Sequence, residues 1–359
     1  MTAPTDVVVR AELLDCVQAN LALLADRANG AGRHLALGAR LRFAPVPGPD
    51  GLPTVERTLD EHLLDARRLL GLAVAGTWRA ATSADLLRGH DLVYVVADAF
   101  HLPWVPYHGH EHMDHSFLVE AGPTGFVVHD AYHNDTEWGS ARPDRRELSA
   151  AELSAAVPDG ARVFRLDPVD PPAGVRPRQD HAGPEVVDAY VRAYREHPDR
   201  VAALRRLTLE TWLLARSRRL HAACHEEPAV FEEHVRRWEA LAEQTYLAYR
   251  RVARGRAEPP GVLPRLADLL AADRVVFDGL RREVAAVVAR VLGVDPVEVL
   301  RGEPFPSFPS FSSFRVVDIV ERLESALGVE FDAEDLVPEH LHRLDDLCRL
   351  VSRSSGGPE

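Results

Sequence analysis

Apolar residues recur at three- and four-residue intervals just after Asp15: Val17, Leu21, Leu24 and Ala28 share a face, and Gly30 follows them. That spacing predicts an amphipathic helix with Asp15 as its N-cap and Gly30 as its stop. Farther along the rhythm shortens. "DLVYVVAD", "HSFLVE" and "GFVVHDAY" are short β-branched or aromatic runs between turn residues, which predicts strands. "APVPGPDGLP", at 44–53, is a loop. From Pro184 to about Arg254 the period is helical throughout, as in "EVVDAYVRAYREH" and "WEALAEQTYLAYRRVARG". The Pro-rich "DPVDPPAGVRPRQDHAGP", Asp167 to Pro184, reads as a boundary before that region, and "GRAEPPGVLP" as a second one after it. No internal repeat is visible. These textures predict an α+β part at 1–165, a helical extension at 166–260 that packs on it, and a last helical unit at 272–355.

Composition narrows the class. The 359 residues carry a net charge of −13, with 42 Lys and Arg against 55 Asp and Glu, and no basic stripe with interleaved aromatics. A nucleic-acid partner is therefore not expected. Cys16, Cys224 and Cys348 are scattered and form no C-x-x-C pair, a usage that suits a reducing cytoplasm better than a disulfide framework. The opening "MTAPTDVVVRAELLD" lacks the basic start and apolar core of a signal peptide, and no apolar run approaches a membrane span. The expectation is a soluble cytoplasmic protein.

The last unit carries the most specific pattern. Leu280, Val284, Val287, Val288 and Val291 form one helical stripe; Val316, Val320, Leu323 and Leu327 form another, closed by Gly328. Between them lies "GEPFPSFPSFSSF". With "RVVDIVERLESALGVEFDAEDL" downstream, about 80 residues resemble an acyl or peptidyl carrier protein, a small four-helix bundle. In that family a serine at the start of the second helix, usually within Asp-Ser-Leu, carries 4′-phosphopantetheine. The register of "SSF" at 312–314 implies Ser313 as the attachment site, with Ser310 the weaker candidate and Ser312 in the place of the usual acidic residue. A helix N-terminus suits a phosphodiester, because its free amides and dipole favour negative charge. The resemblance implies two partners, a phosphopantetheinyl transferase and an acyl-loading enzyme of the adenylation type. An unmodified docking module is the alternative.

In the first part, a hairpin closed by Ala121 to Thr124 would pair Glu120 with Gly125, Phe117 with Val128 and His115 with Asp130. A carboxylate against an imidazole fixes its tautomer and stabilises its protonated form, which a general base requires. Cys16, in the first turn of the predicted helix, is the candidate nucleophile. That position is expected to lower the thiol pKa and to offer the Cys16 amide as an oxyanion donor. "DC" at 15–16, "HSFLVE" at 115–120 and "VVHDAY" at 127–132 resemble papain-like cysteine enzymes, in particular double-glycine leader peptidases and the butirosin-biosynthesis type of acyltransferase. The resemblance covers residues 1 to about 165. It implies a fold of one helix against an antiparallel sheet, and the catalytic set Cys16, His115 and Asp130. Family members often place an oxyanion glutamine shortly before the cysteine. Arg10 to Asp15 contains none, and the sequence leaves open whether Gln18 or Asn20 takes that role.

"HEHMDH", at 110–115, also fits the H-x-H-x-D-H zinc pattern of metallo-β-lactamases. A strand rather than a helix follows it, and no later Gly-His ligand is found, so no metal is expected. A solvated loop is the expected state of His108, His110 and His112. Trp212, Trp238, Tyr246 and Tyr249 read as helix packing. Together the two resemblances imply an acyltransferase of specialised metabolism, passing an acyl or aminoacyl group from a phosphopantetheine thioester through Cys16 to a small-molecule amine. A thioesterase or leader peptidase with the same triad is the second reading, and a non-enzymatic scaffold that presents the carrier is the third.

Overall fold

Side-chain alternation along two central strands sets the architecture of the first unit. In this computed structural model, which describes residues 9–171, 177–225, 228–332, 334–337 and 341–354, six antiparallel strands form the main sheet. They are β1 (Leu72–Ala80), β2 (Leu92–Asp98), β3 (Asp114–Ala121), β4 (Phe126–Asp130), β5 (Asp144–Leu148) and β6 (Ala161–Pro168), in the spatial order β5-β4-β3-β2-β6-β1. Tyr94, Val96 and Leu118 point to one face, where they pack with Leu21, Leu24 and Leu37. Val93, Val95, Phe117 and Val119 point to the other, against Leu86, Leu102, Val105 and Leu153. The sheet is thus buried on both sides, which is why β2 and β3 read as nearly unbroken apolar runs. Fully burying each such Val, Leu or Phe contributes about 1.5–3 kcal/mol.

Helix α1 (Cys16–Asn29) lies on the first of these faces. Its start is a capping box: the Asp15 carboxylate accepts the amides of Val17 and Gln18, and the Gln18 side chain accepts the Asp15 amide. Gly30 closes it at φ 99°, a conformation that favours glycine. Helices α2 (Pro184–Glu196), α3 (Arg200–Ala223) and α4 (Glu232–Val252) follow.

Two expectations are corrected here. Asp167–Pro184 does not separate domains: Arg178–His181 pairs in parallel with Arg40–Phe43 inside one unit, Met1–Ala267, although 172–176 lie outside the described residues. The chain divides within helix α5 (Val262–Val276), between the expected helical extension and last unit, and the second unit is Asp268–Glu359. The hairpin register is also two residues from the expected one. Val119 opposes Val128 and Glu120 opposes Val127, because the tight turn, closed by the Gly122 amide on the Gly125 carbonyl, spans 122–125. Gly125 passes so close to β5 that a Cβ there would sit 2.5 Å from the Leu148 carbonyl oxygen, so only glycine fits without a shift. A slip of two preserves every face.

In the second unit, α6 (Gly279–Leu292) is capped by Asp278 and closed by Gly293, and α7 (Ser313–Leu327) ends at Gly328. A one-turn helix, Pro296–Leu300, lies between them, and α8 (Leu344–Ser354) completes the unit. Val284, Val287, Val288 and Val291 meet Ile319, Val320, Leu323, Leu344 and Leu347 in one core. Residues 333 and 338–340, between α7 and α8, lie outside the described residues.

Candidate active site

The slipped register makes His115 and Asp130 diagonal neighbours on one sheet face rather than a directly opposed pair, and a long side chain spans that separation. His115 Nε2 lies 2.7 Å from Asp130 Oδ2, and both side chains are buried. A carboxylate can only accept, so the imidazole donates to it from Nε2. Asp130 is fixed from four sides. Oδ2 also accepts from the Trp104 indole at 3.1 Å, and Oδ1 accepts from the Tyr132 amide at 3.0 Å and from Asn20 at 3.4 Å. Burial alone pushes this carboxyl up, but the His115 charge and these hydrogen bonds together hold it below its ordinary value.

Cys16 joins the pair through the strand backbone. Its sulfur is 3.7 Å from the carbonyl oxygen of Asp114, the residue before His115. Its own carbonyl accepts the Ser116 hydroxyl at 2.6 Å, the residue after. His115 Nδ1 is buried with no hydrogen-bond partner among the described residues. His115 thus hydrogen-bonds Asp130, and Cys16 is hydrogen-bonded to the two residues that flank His115. One part of the expectation is overturned. The thiol is only 9% exposed, and burial first, then the charges of Asp15 and Asp130, push its pKa well above the ordinary value. The helix start was expected to favour thiolate, but the residue that caps it is itself an anion beside the sulfur. Both effects favour the protonated thiol.

The oxyanion alternatives also resolve. Gln18 is occupied by the capping box. Asn20 donates to the Ser116 carbonyl at 2.8 Å and accepts the Ala131 amide at 2.9 Å, tying α1 to both strands. The Asn20 amide group is thereby committed, whereas in Gln18 it is the oxygen that the cap uses.

Sequence reasoning missed a second set of groups. Arg216 of α3 donates to the carbonyls of Ala11, Leu14 and His133, and its guanidinium lies 4.3 Å from the centre of the Trp212 ring. Trp212, read as helix packing, donates to Asn134 Oδ1 at 3.1 Å. Asn134 Nδ2 in turn donates to the Tyr107 hydroxyl, 3.0 Å from that of Tyr132. The Tyr132 ring stands edge-on to His115, with centroids 5.3 Å apart. Strand parity carried one usable signal, since Tyr132 follows Asp130 by two and so shares its side.

The zinc pattern disperses. His115 is bound to Asp130, His110 stacks on Trp138, and His112 stacks on Phe100 and bonds Asp98 at 2.6 Å. Among the described residues, Asp98, His101 and Asp159 could offer a cation three ligand atoms, yet Asp98 and His101 are already hydrogen-bonded, Asp98 to the Phe100 and Met113 amides and to His112, His101 to Asp159. A groove of about 360 Å³, lined by Leu24, Arg27, Tyr94 and Leu166, lies toward the far end of α1 from Cys16.

In the second unit, Ser313 is the first residue of α7 and is exposed, with no hydrogen-bond partner for its hydroxyl among the described residues. Phe314 beside it is 85% exposed and Val317 55%. Ser310 instead gives its hydroxyl to the Leu292 carbonyl. Ser312 caps the helix without a side-chain bond. No helix among the described residues is long and apolar enough to cross a membrane. No known family model matches this chain, and no curated protein matches it.

Proposed function

We propose that this chain is a carrier-fused cysteine acyltransferase, with a papain-like catalytic unit and a carrier-protein unit. The observation that carries the reading is the Cys16–His115–Asp130 arrangement: an imidazole held by a buried carboxylate keeps Nδ1 unpartnered among the described residues, and the thiol hydrogen-bonds the backbone of the preceding residue, Asp114. The second unit supports it through Ser313, whose exposed and unbonded hydroxyl at a helix N-terminus fits phosphodiester attachment. Attached there, 4′-phosphopantetheine would supply a thiol that presents the acyl group as a thioester.

The chain's own residues then do the chemistry. As the Cys16 sulfur bonds to the acyl carbonyl, its proton passes to His115 Nδ1, and Asp130 stabilises the imidazolium. Because the resting thiol is neutral, this transfer accompanies attack instead of preceding it. His115 returns the proton to the departing thiolate, which leaves the acyl group on Cys16. An amine then attacks, losing its proton to His115, and the amide departs as Cys16 is released. One thioester is exchanged for another in the first half, so little free energy separates them.

Incubation with a phosphopantetheinyl transferase and coenzyme A, followed by intact mass, tests the carrier unit: the mass should rise in the native chain and not in Ser313→Ala. The acyl-loaded protein, offered a panel of amines, should form amide at a rate that Cys16→Ala abolishes. Equal product from Cys16→Ala refutes the nucleophile. Free acid at a rate no amine alters would make the enzyme a thioesterase.

A further inference from the structure

A carbonyl attacked by Cys16 develops negative charge on its oxygen, and the Cys16 amide supplies one hydrogen-bond donor. The glutamine that papain-like enzymes place before the cysteine as the second donor is missing here, the Asn20 amide is engaged elsewhere, and the Gln18 oxygen is taken by the helix cap. Proton counting identifies another candidate. Asn134 Oδ1 accepts from Trp212 Nε1 at 3.1 Å and from Arg216 at 3.5 Å. That fixes the amide orientation, so Asn134 Nδ2 donates to the Tyr107 oxygen at 3.1 Å. The two phenols, Tyr107 and Tyr132, carry two protons between them. Their mutual contact at 3.0 Å consumes one. Among the described residues the other has no acceptor, whichever phenol holds it.

Both rings lie in the apolar cluster that contains Cys16, and Tyr132 stands against the His115 ring. We propose that the Tyr107–Tyr132 pair supplies the second oxyanion donor of this site, one phenolic O–H joining the Cys16 N–H. The inference rests on the reading of Cys16 as nucleophile. Burial, with nearby negative charge, keeps both phenols protonated far into the alkaline range, so the donor is present whenever the enzyme works. The Arg216, Trp212 and Asn134 contacts act behind the pair as positioning groups, and they explain why α3 is built into this unit.

Two electrophiles separate this role from any effect on the sulfur. 4-Nitrophenyl acetate acylates Cys16 through an oxyanion: the S–C bond forms, the carbonyl electron pair moves to oxygen, and collapse expels 4-nitrophenolate. Iodoacetamide alkylates the same sulfur by displacing iodide, and no oxyanion forms. Both rates are read at the Cys16 peptide of the full chain by mass. The double variant Tyr107→Phe/Tyr132→Phe should lose about 10²–10³-fold in acylation, the range for removing one oxyanion donor, and stay within about twofold in alkylation. The single variants report which hydroxyl reaches the substrate, and they carry the test should the double variant not fold. Acylation at the native rate, or an equal fall in both reactions, overturns the proposal. A native chain that neither reagent modifies at Cys16 refutes the nucleophile reading itself, a result distinct from the other two.

Discussion

Cys16 and Ser313 both sit in the first turn of a helix and both are assigned nucleophilic oxygen or sulfur chemistry, yet their surroundings are opposite. Around Cys16, Asp15, Gln18, Asn20, Ser116 and Asp130 are all bound to one another or to the strands. Around Ser313 the flanking Ser312 side chain makes no capping bond, and a bare Phe314 faces solvent. On the proposed reading, the difference follows from who performs the chemistry. A catalytic group must hold its geometry within the fold, where every polar neighbour has to be satisfied. A group modified by another enzyme must be reachable, and needs only a rigid helix end beneath it.

If that contrast is right, substitutions in the two places should differ sharply. The largest effect is expected for Asp130→Ala, which strips a buried acceptor from His115, Trp104, Tyr132 and Asn20. About 3–5 kcal/mol of stability should be lost in urea denaturation, the range for breaking a buried charged pair, and acyl transfer should fall by orders of magnitude. The same carboxylate predicts acid lability. Its folded pKa lies below the unfolded value, so its contribution is complete above about pH 4 and disappears as pH falls through the folded value. A denaturation midpoint that does not change between pH 5 and pH 3 would contradict this.

The thiol gives the next effect. With its pKa raised, alkylation of Cys16 should still climb roughly tenfold per unit at pH 9, where an ordinary thiol, with pKa about 8.5, has levelled off. A plateau below pH 9 would mean that the sulfur is more acidic than its burial implies. Arg216→Leu should come third. It frees the carbonyls of Ala11, Leu14 and His133, at about 1–3 kcal/mol, and should slow acylation of Cys16 by loosening the turn that positions it. A native-like thermal midpoint and acylation rate would remove Arg216 from the site. Ser313→Ala should be thermally silent while abolishing the mass shift. A clear fall in its midpoint would show that the serine is structural and erase the contrast.

How much of this was legible depends on how local the information is. The α1 helix, its Asp15 cap and Gly30 stop are written in adjacent residues, and both hydrophobic stripes of the second unit are buried as their spacing requires. His115 and Asp130 shared a face in the expected and in the observed hairpin, because strand parity survives an even slip. The register itself follows from a tighter turn, 122–125, than the expected one, and Gly125 in that turn also passes close to Leu148 of a third strand, a contact that no two-strand argument contains. The pieces that hold the site from outside were invisible for the same reason. Arg216 meets Leu14 across about 200 positions, and Trp212 meets Asn134 across 78. The thiol expectation failed on magnitude: a helix dipole is a fraction of a charge, while burial first, and then the full charges of Asp15 and Asp130, raise the thiol pKa.

The cap at Asp15 has a consequence for how the neighbouring thiol withstands oxidation. Peroxide and other cellular oxidants attack thiolate, and they do so most readily where it is exposed. A carboxylate that secures the helix start while discouraging ionisation of its neighbour leaves the sulfur a poor target for them. Asp15→Asn preserves the cap but removes the charge, and so gives up the part of that shelter which burial does not supply, leaving a more readily oxidised sulfur.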